Sequence, residues 1–206
     1  MIKTWIVPVF MALGLSACVS ANTFFPEPLR EDLTYNWRVV DVQATVPRTL
    51  TTTVANTQMP DVDIIWREDG PGDVYAQVEK IIEESMAQAA SQFHSSVKGG
   101  RPVILRAEVV QFHSLTERAR SNIGGIHNTD LILTVLDANT REVLAGPAVI
   151  EADEKAFGGA EADRAIAAGQ TMRVRIIQRV SDVIATYLGV AGARAVETGR
   201  VVQVGR

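Results

Sequence analysis

Gly70-Pro71-Gly72-Asp73-Val74-Tyr75-Ala76-Gln77-Val78-Glu79-Lys80-Ile81-Ile82 opens residues 70–112, where a helical period gives way to a strand period. Gly70 is a permissive N-cap, Pro71 suits the first helical position, and Asp73 places an acid where it meets the positive helix end. Val74, Val78, Ile81, Ile82, Ser85, Ala89 and Phe93 then recur at spacings of three and four, while Glu79, Lys80, Glu83 and Glu84 fall outside that stripe. That is the signature of a helix with one buried face. Lys98 and Gly99-Gly100 close it, with Pro102 beyond, and His94 is placed to meet its negative pole. The period then switches to two: Val103, Leu105, Ala107 and Val109 alternate with Arg106 and Glu108, as in a half-buried strand.

Toward the N-terminus, Val40, Val42, Ala44 and Val46 alternate with polar residues in a strand over Trp37–Val46, ended by Pro47. Thr49–Thr57 reads as a long loop and Val62–Arg67 as a short second strand. Toward the C-terminus, Leu131–Leu136 and Val143–Ala152 form a hairpin across the turn Asp137-Ala138-Asn139-Thr140. A second long helix is predicted from Ala160 to Leu188, opening on Glu161 and Asp163 and stopped by Gly189. Ile166, Gly169, Ile176, Ile177, Val180, Ile184, Tyr187 and Leu188 give it an apolar side, into which Arg173 intrudes. The expectation there is that the arginine stem packs while its head reaches water or a carboxylate. From about residue 190 the chain reads as a loose tail, with Val201–Val204 as a candidate edge strand.

This order, β-β-α-β-β-β-α, predicts an α+β two-layer sandwich: a mostly antiparallel sheet of four to five strands with two long helices on one face. Trp37, Val39, Val110, Phe112, Ile132 and Leu136 are assigned to the opposite face, an apolar set that either the threonine-rich loop and tail or a partner must cover.

Ahead of the domain, Lys3 is followed by an apolar run, Trp5 to Leu15, shorter than the roughly 20 residues that cross a bilayer as a helix. It is a signal segment rather than a span. Leu15-Ser16-Ala17-Cys18 resembles the lipobox of bacterial lipoproteins. That resemblance implies cleavage after a signal peptide of residues 1–17, a diacylglycerol thioether on Cys18, and the membrane as a partner through this lipid. Two or three acyl chains, at about 0.8 kcal/mol per buried methylene, make a stable anchor. Val19 after the cysteine implies, by the same resemblance, the periplasmic face of the outer membrane. Residues 18–36, with Pro26 and Pro28, read as a lipidated tether to a single domain over 37–206. The Phe24-Phe25 pair within it either meets the lipid interface or docks back on the domain. Cys18 is the only cysteine, which excludes an internal disulfide and cysteine-based metal sites, and a formal charge of −4 does not favour nucleic acid.

Hairpin pairing brings the loops His113–Thr129 and Asp153–Ala160 to one end of the sheet, beside the start of the second helix. That end gathers His113, Arg118, Arg120, Gly124-Gly125, His127 and Phe157-Gly158-Gly159. Glycines before a helix N-terminus expose N–H groups to an anion, and nearby arginines add to the attraction. His113, Arg118, Arg120, His127, Gly158 and Gly159 are therefore the candidate ligand-binding residues, for a small anionic or lipid-like molecule. No catalytic residue, metal ligand or cofactor is expected: neither an H-E-x-x-H nor a G-x-S-x-G pattern occurs, and His113 beside Ser114 is an adjacency, not a triad.

Asp63-Ile64-Ile65-Trp66-Arg67 leading to Gly72-Asp73, Phe112–Arg120, Gly124-Gly125-Ile126-His127 and Ala156-Phe157-Gly158-Gly159 resemble segments of an alphaproteobacterial lipoprotein family of unknown function. The resemblance spans nearly the whole mature domain and implies no activity. More loosely, a lipid anchor with two helices on a small sheet resembles auxiliary outer-membrane lipoproteins of lipopolysaccharide assembly and lipid transport, although fold does not fix function. The expectation is a non-enzymatic, lipid-anchored periplasmic module that binds an envelope protein, with ligand binding at the loop end as the alternative.

Overall fold

In a computed structural model of the chain, residues 19–92, 99–190 and 196–203 are described. The signal segment, Cys18, Phe93, His94 and Lys98 lie outside the described residues. The elements run β1 (Val19–Phe24), α1 (Glu31–Thr34), β2 (Trp37–Thr45), β3 (Ile64–Ile65), α2 (Val74–Ser91), β4 (Arg101–His113), α3 (Glu117–Ser121), β5 (Gly125–Asp137), β6 (Val143–Ala152), β7 (Glu154–Ala156), α4 (Gly159–Ala167), α5 (Met172–Tyr187) and β8 (Gly199–Gln203).

The helix that anchors the prediction begins three residues later than expected, at Val74 rather than Pro71. Asp73 is itself the N-cap, its carboxylate accepting from the N–H groups of Tyr75 and Ala76 at 3.0 and 3.4 Å. An aspartate side chain fills this role better than Gly70, which has no acceptor to offer the orphan amides. Val78, Ile81, Ile82, Ser85 and Ala89 are buried as the stripe requires, joined by Met86. α2 packs against α5, and the pair covers one side of the sheet.

The sheet runs β2-β4-β5-β6-β1-β8, with β3 added to β4 and β7 to β5, so it holds eight strands among the described residues where four to five were expected. The antiparallel pairs are β4–β5, β5–β6, β6–β1, β1–β8 and β5–β7, while β2 and β3 both run parallel to β4. Parallel neighbours need a crossover, and the β3–α2 segment supplies it between β2 and β4.

The segment expected as a tether is built into this sheet. β1 pairs Thr23 with Ala152 and Val19 with Gln203, which also gives the expected loose tail a partner in β8. Phe25 enters the core while Phe24 stays exposed, and the Leu29 N–H donates to the Tyr187 carbonyl at 2.8 Å. The predicted second helix is two helices. Gly169 adopts φ +75° between α4 and α5, and Thr171 restarts the helix by accepting from Val174 N–H. Ile166, assigned to the buried stripe, is consequently exposed.

Two β-bulges correct the assignment of sheet faces. The β2–β4 register shifts between Val39 and Asp41, and the β4–β5 register between Val109 and Gln111. Each extra residue moves what lies beyond it to the other face. Trp37 and Phe112 are therefore core residues, and Val39 packs against the core, whereas Val40 and Val110 at the bulges are exposed. Trp66 meets Phe112 edge-on at 5.8 Å between ring centroids. Ile132 does lie away from the helices, paired with Val149, because its neighbour Leu131 pairs with buried Ile150.

Candidate functional site

The two loops predicted to meet do so as strands. β5 extends back to Gly125 and pairs with β7 through Gly125↔Ala156, Ile126↔Lys155 and His127↔Glu154. Between β4 and β5 the chain turns through α3, whose N-cap Thr116 accepts from Ala119 N–H at 3.2 Å and donates to the Thr57 carbonyl at 2.8 Å. Asn56 accepts from Arg118 N–H at 2.9 Å. The threonine-rich loop thus holds α3 rather than covering the far face of the sheet.

The glycines of this end work by closeness. A Cβ on Gly124 would stand 2.7 Å from Gly158 N, so the α3–β5 turn and the β7–α4 turn press backbone to backbone. Gly158 is the N-cap of α4 and makes no side-chain cap, and Gly159 opens the helix at φ +52°. Contact between two turns accounts for Gly124 and Gly158 without an anion.

The histidines part company. His113 hydrogen-bonds through Nε2 to the Val62 carbonyl, tying β4 to the chain entering β3. His127 is buried, with Nδ1 3.3 Å from Ser114 Oγ and, among the described residues, no hydrogen-bond partner at Nε2. Burial, and then the charge of Arg175, push its pKa down to about 3, so the ring is neutral at ordinary pH. Ser114 also donates to Met172 Sδ at 3.4 Å. This is a serine–histidine contact in space, with His127 in place of the adjacent His113. Both groups are buried, and among the described residues no carboxylate meets the second ring nitrogen as one does in a triad.

Arg175 is the residue that sequence reasoning missed. From α5 it donates to Glu154 Oε1 at 2.6 Å and to the Lys155 carbonyl at 2.5 Å, with its guanidinium 3.7 Å over the Phe157 ring. Its neighbours Ile176 and Ile177 mark α5 as apolar, so no local pattern signals a buried cation there. Arg173 reaches carboxylates as expected, at 2.8 Å to Asp69 and 2.9 Å to Glu84. Glu68 supplies the anion at the start of α5, accepting from Met172 N–H at 3.1 Å and Arg173 N–H at 2.6 Å. A side-chain carboxylate thus holds the N-terminus of α5, whereas the helix start expected to face an anion, at Gly158-Gly159, is that of α4 and carries no side-chain cap.

Arg120 lies 3.9 Å from Asp163 of α4, while Arg118 makes no ion pair among the described residues. Arg120 also lines a shallow cleft of about 270 Å³ with Arg67, Glu68, Leu115, Glu117, Ile166 and Met172. Beyond the cluster, Asp130 has its pKa pushed up to about 6 by burial and by Asp153 and Glu151. Asp153 accepts from Asn22 N–H at 2.9 Å and from Asn128 Nδ2 at 3.0 Å, and burial raises its pKa as well. Among the described residues no group of His, Cys, Asp or Glu is arranged to hold a metal ion, and no helix is long and apolar enough to cross a membrane.

The chain belongs to a protein family of unknown function, DUF6778, whose profile matches residues 37–204. No curated protein matches it. Among solved structures, the PelC dodecamer of Paraburkholderia phytofirmans is similar at 11% identity and a TM-score of 0.33, covering 82% of this chain and 96% of that one. A single-substitution variant of PelC from the same organism gives 11% identity and a TM-score of 0.35, covering 82% and 95%. These values are too low to carry over a fold or a role.

Proposed function

We propose that this chain is a lipoprotein of the bacterial envelope, anchored through Cys18 on the periplasmic face of the outer membrane, whose domain binds a protein partner without catalysing a reaction. Support for the anchor is the pattern Leu15-Ser16-Ala17-Cys18 behind a short apolar run. Support for a binding rather than catalytic role is that the groups suited to chemistry are engaged internally: His113 with the Val62 carbonyl, Arg175 with Glu154, and Glu68 with the start of α5.

The observation that carries the partner reading is the side of the sheet away from α2 and α5. There Val40, Val110, Val143 and Val149 stay between 43% and 53% exposed. Aliphatic side chains on a sheet face left without a helical layer are what a partner surface would cover. A photo-crosslinking residue at Val149 in the full-length, membrane-bound protein should yield a discrete adduct in cells, and one at exposed Ala87 of α2 should not. No adduct from Val149, or the same adducts from both positions, would remove the proposal.

The alternative, a small anionic or lipid-like ligand at the loop end, draws its support from the cleft where Arg67 and Arg120, balanced by Glu68 and Glu117, meet apolar Leu115, Ile166 and Met172. It differs from the first reading in its measurable consequence: a ligand would slow hydrogen exchange in residues 113–129 and 153–160, whereas a partner would protect the exposed valines.

A further inference from the structure

We infer that the end of the domain carrying α3 and α4 lies directly against a phospholipid bilayer, with Ile123 in the interfacial layer. This rests on anchoring through Cys18 and specifies which surface of the domain meets the lipid. The register fixes the geometry. Phe24, Glu151 and Asp130 form one row across β1, β6 and β5. From that row β5 runs back to Gly125 and β1 runs back to Val19, both toward the same end of the sheet. Gly125 pairs with Ala156, so α3 and α4 stand at that end. Val19, already paired to Gln203, is one peptide from the acylated residue, and its Cα follows that of Cys18 by about 3.8 Å. The strand begins at the residue after the one that carries the lipid, which holds the domain close to the surface that takes up the acyl chains.

The chemistry of that end suits the interface. Ile123 is 71% exposed and Ile166 41% exposed, while Asp163 and Glu161 are paired with Arg120 and Lys155. Arg118 and Arg164 make no ion pair among the described residues and are placed to meet lipid phosphates, with Glu117 offsetting part of their charge. Exposed isoleucines flanked by arginines are the side chains that settle at a headgroup boundary.

Because Cys18 is the only cysteine and its sulfur is taken up by the lipid, an introduced cysteine is a unique labelling position. Ile123→Cys and, at the opposite end of β5, Thr140→Cys would each carry a nitroxide in the full-length acylated protein, on vesicles of phosphatidylethanolamine and phosphatidylglycerol. The expected result is a several-fold drop in collision with a water-soluble nickel complex at position 123 relative to position 140, with oxygen collision raised. Acylated protein on vesicles with both labels equally open to nickel overturns the apposition and leaves the anchor standing. Absence of acyl mass on Cys18 overturns the anchor, and the apposition with it.

Discussion

A Cβ atom on Gly158 would stand 2.0 Å from the backbone nitrogen of Gly124. Gly158 has an ordinary extended backbone, φ −124° and ψ 162°, so what it requires is space, not conformational freedom. Gly158→Ala must force the β7–α4 turn away from the α3–β5 turn, at a cost of about 3 kcal/mol. Gly169 is the contrasting case: φ is +75° but no atom of the described residues lies within 4 Å of where a methyl group would stand, so Gly169→Ala costs only backbone strain, about 1 kcal/mol. Denaturant titration separates the two, and equal losses would mean that the turns do not need their close approach.

Burial ranks the helix faces. Ile81 of α2 is fully buried, whereas Ile177 of α5 is only partly buried beside fully enclosed Ile176. Ile81→Ala should therefore lower stability by about 2 to 5 kcal/mol and Ile177→Ala by roughly half as much, since less side chain leaves the core. A larger loss at Ile177 than at Ile81 would contradict this packing.

Much of the architecture was legible because local pattern and burial agree. The α2 stripe from Val78 to Ala89 and the hairpin from Leu131 through Asp137 to Ala152 follow from residue spacing and turn chemistry alone. What stayed hidden depends on partners far away in sequence. A bulge at Val40 or Val110 leaves no mark in composition, yet it turns Trp37 and Phe112 inward. β1 shows no alternation, and its pairing with β6 and β8 joins residues more than a hundred positions apart, so no local signal marks it as a strand. At the candidate site, the meeting of residues 113–129 with 153–160 was legible from hairpin topology. The burial of Arg175 was not, because Glu154 and Phe157 come from another strand and loop.

The arginines of the site divide by burial. Arg175 is 9% exposed and holds Glu154, the Lys155 carbonyl and the Phe157 face. Arg175→Ala leaves a partly buried carboxylate without this cation and should cost about 3 kcal/mol. Replacing both Arg118 and Arg120 with alanine should change stability by no more than about 0.5 kcal/mol, since one is exposed and the other makes only a 3.9 Å ion pair. If the double variant melts like the parent but fails in the envelope, those two charges serve recognition. If it melts as low as Arg175→Ala, they are structural.

Two buried titrations oppose each other, which makes the pH dependence of stability diagnostic. His127 has a folded pKa of about 3 against an ordinary value of 6.5, so on acidification the unfolded chain takes up this proton first. Its contribution to stability is present above 6.5 and is lost from there down to about 3, with a slope of up to about 1.4 kcal/mol per pH unit. Asp130 has a folded pKa of about 6 against 3.8, so the folded chain holds that proton first. Its contribution is present below 3.8 and is lost as pH rises through about 6. Across the shared window the two slopes partly cancel in the parent protein. His127→Gln should then leave a domain whose stability falls with rising pH in that window. Asp130→Asn should leave one whose stability rises with pH, with a gain over the parent on the order of 1 kcal/mol near pH 8 after solvent screening. Urea titrations of the three proteins between about pH 4 and pH 8 read these slopes directly. Identical slopes in the parent and His127→Gln would mean that the imidazole is not held neutral in the fold.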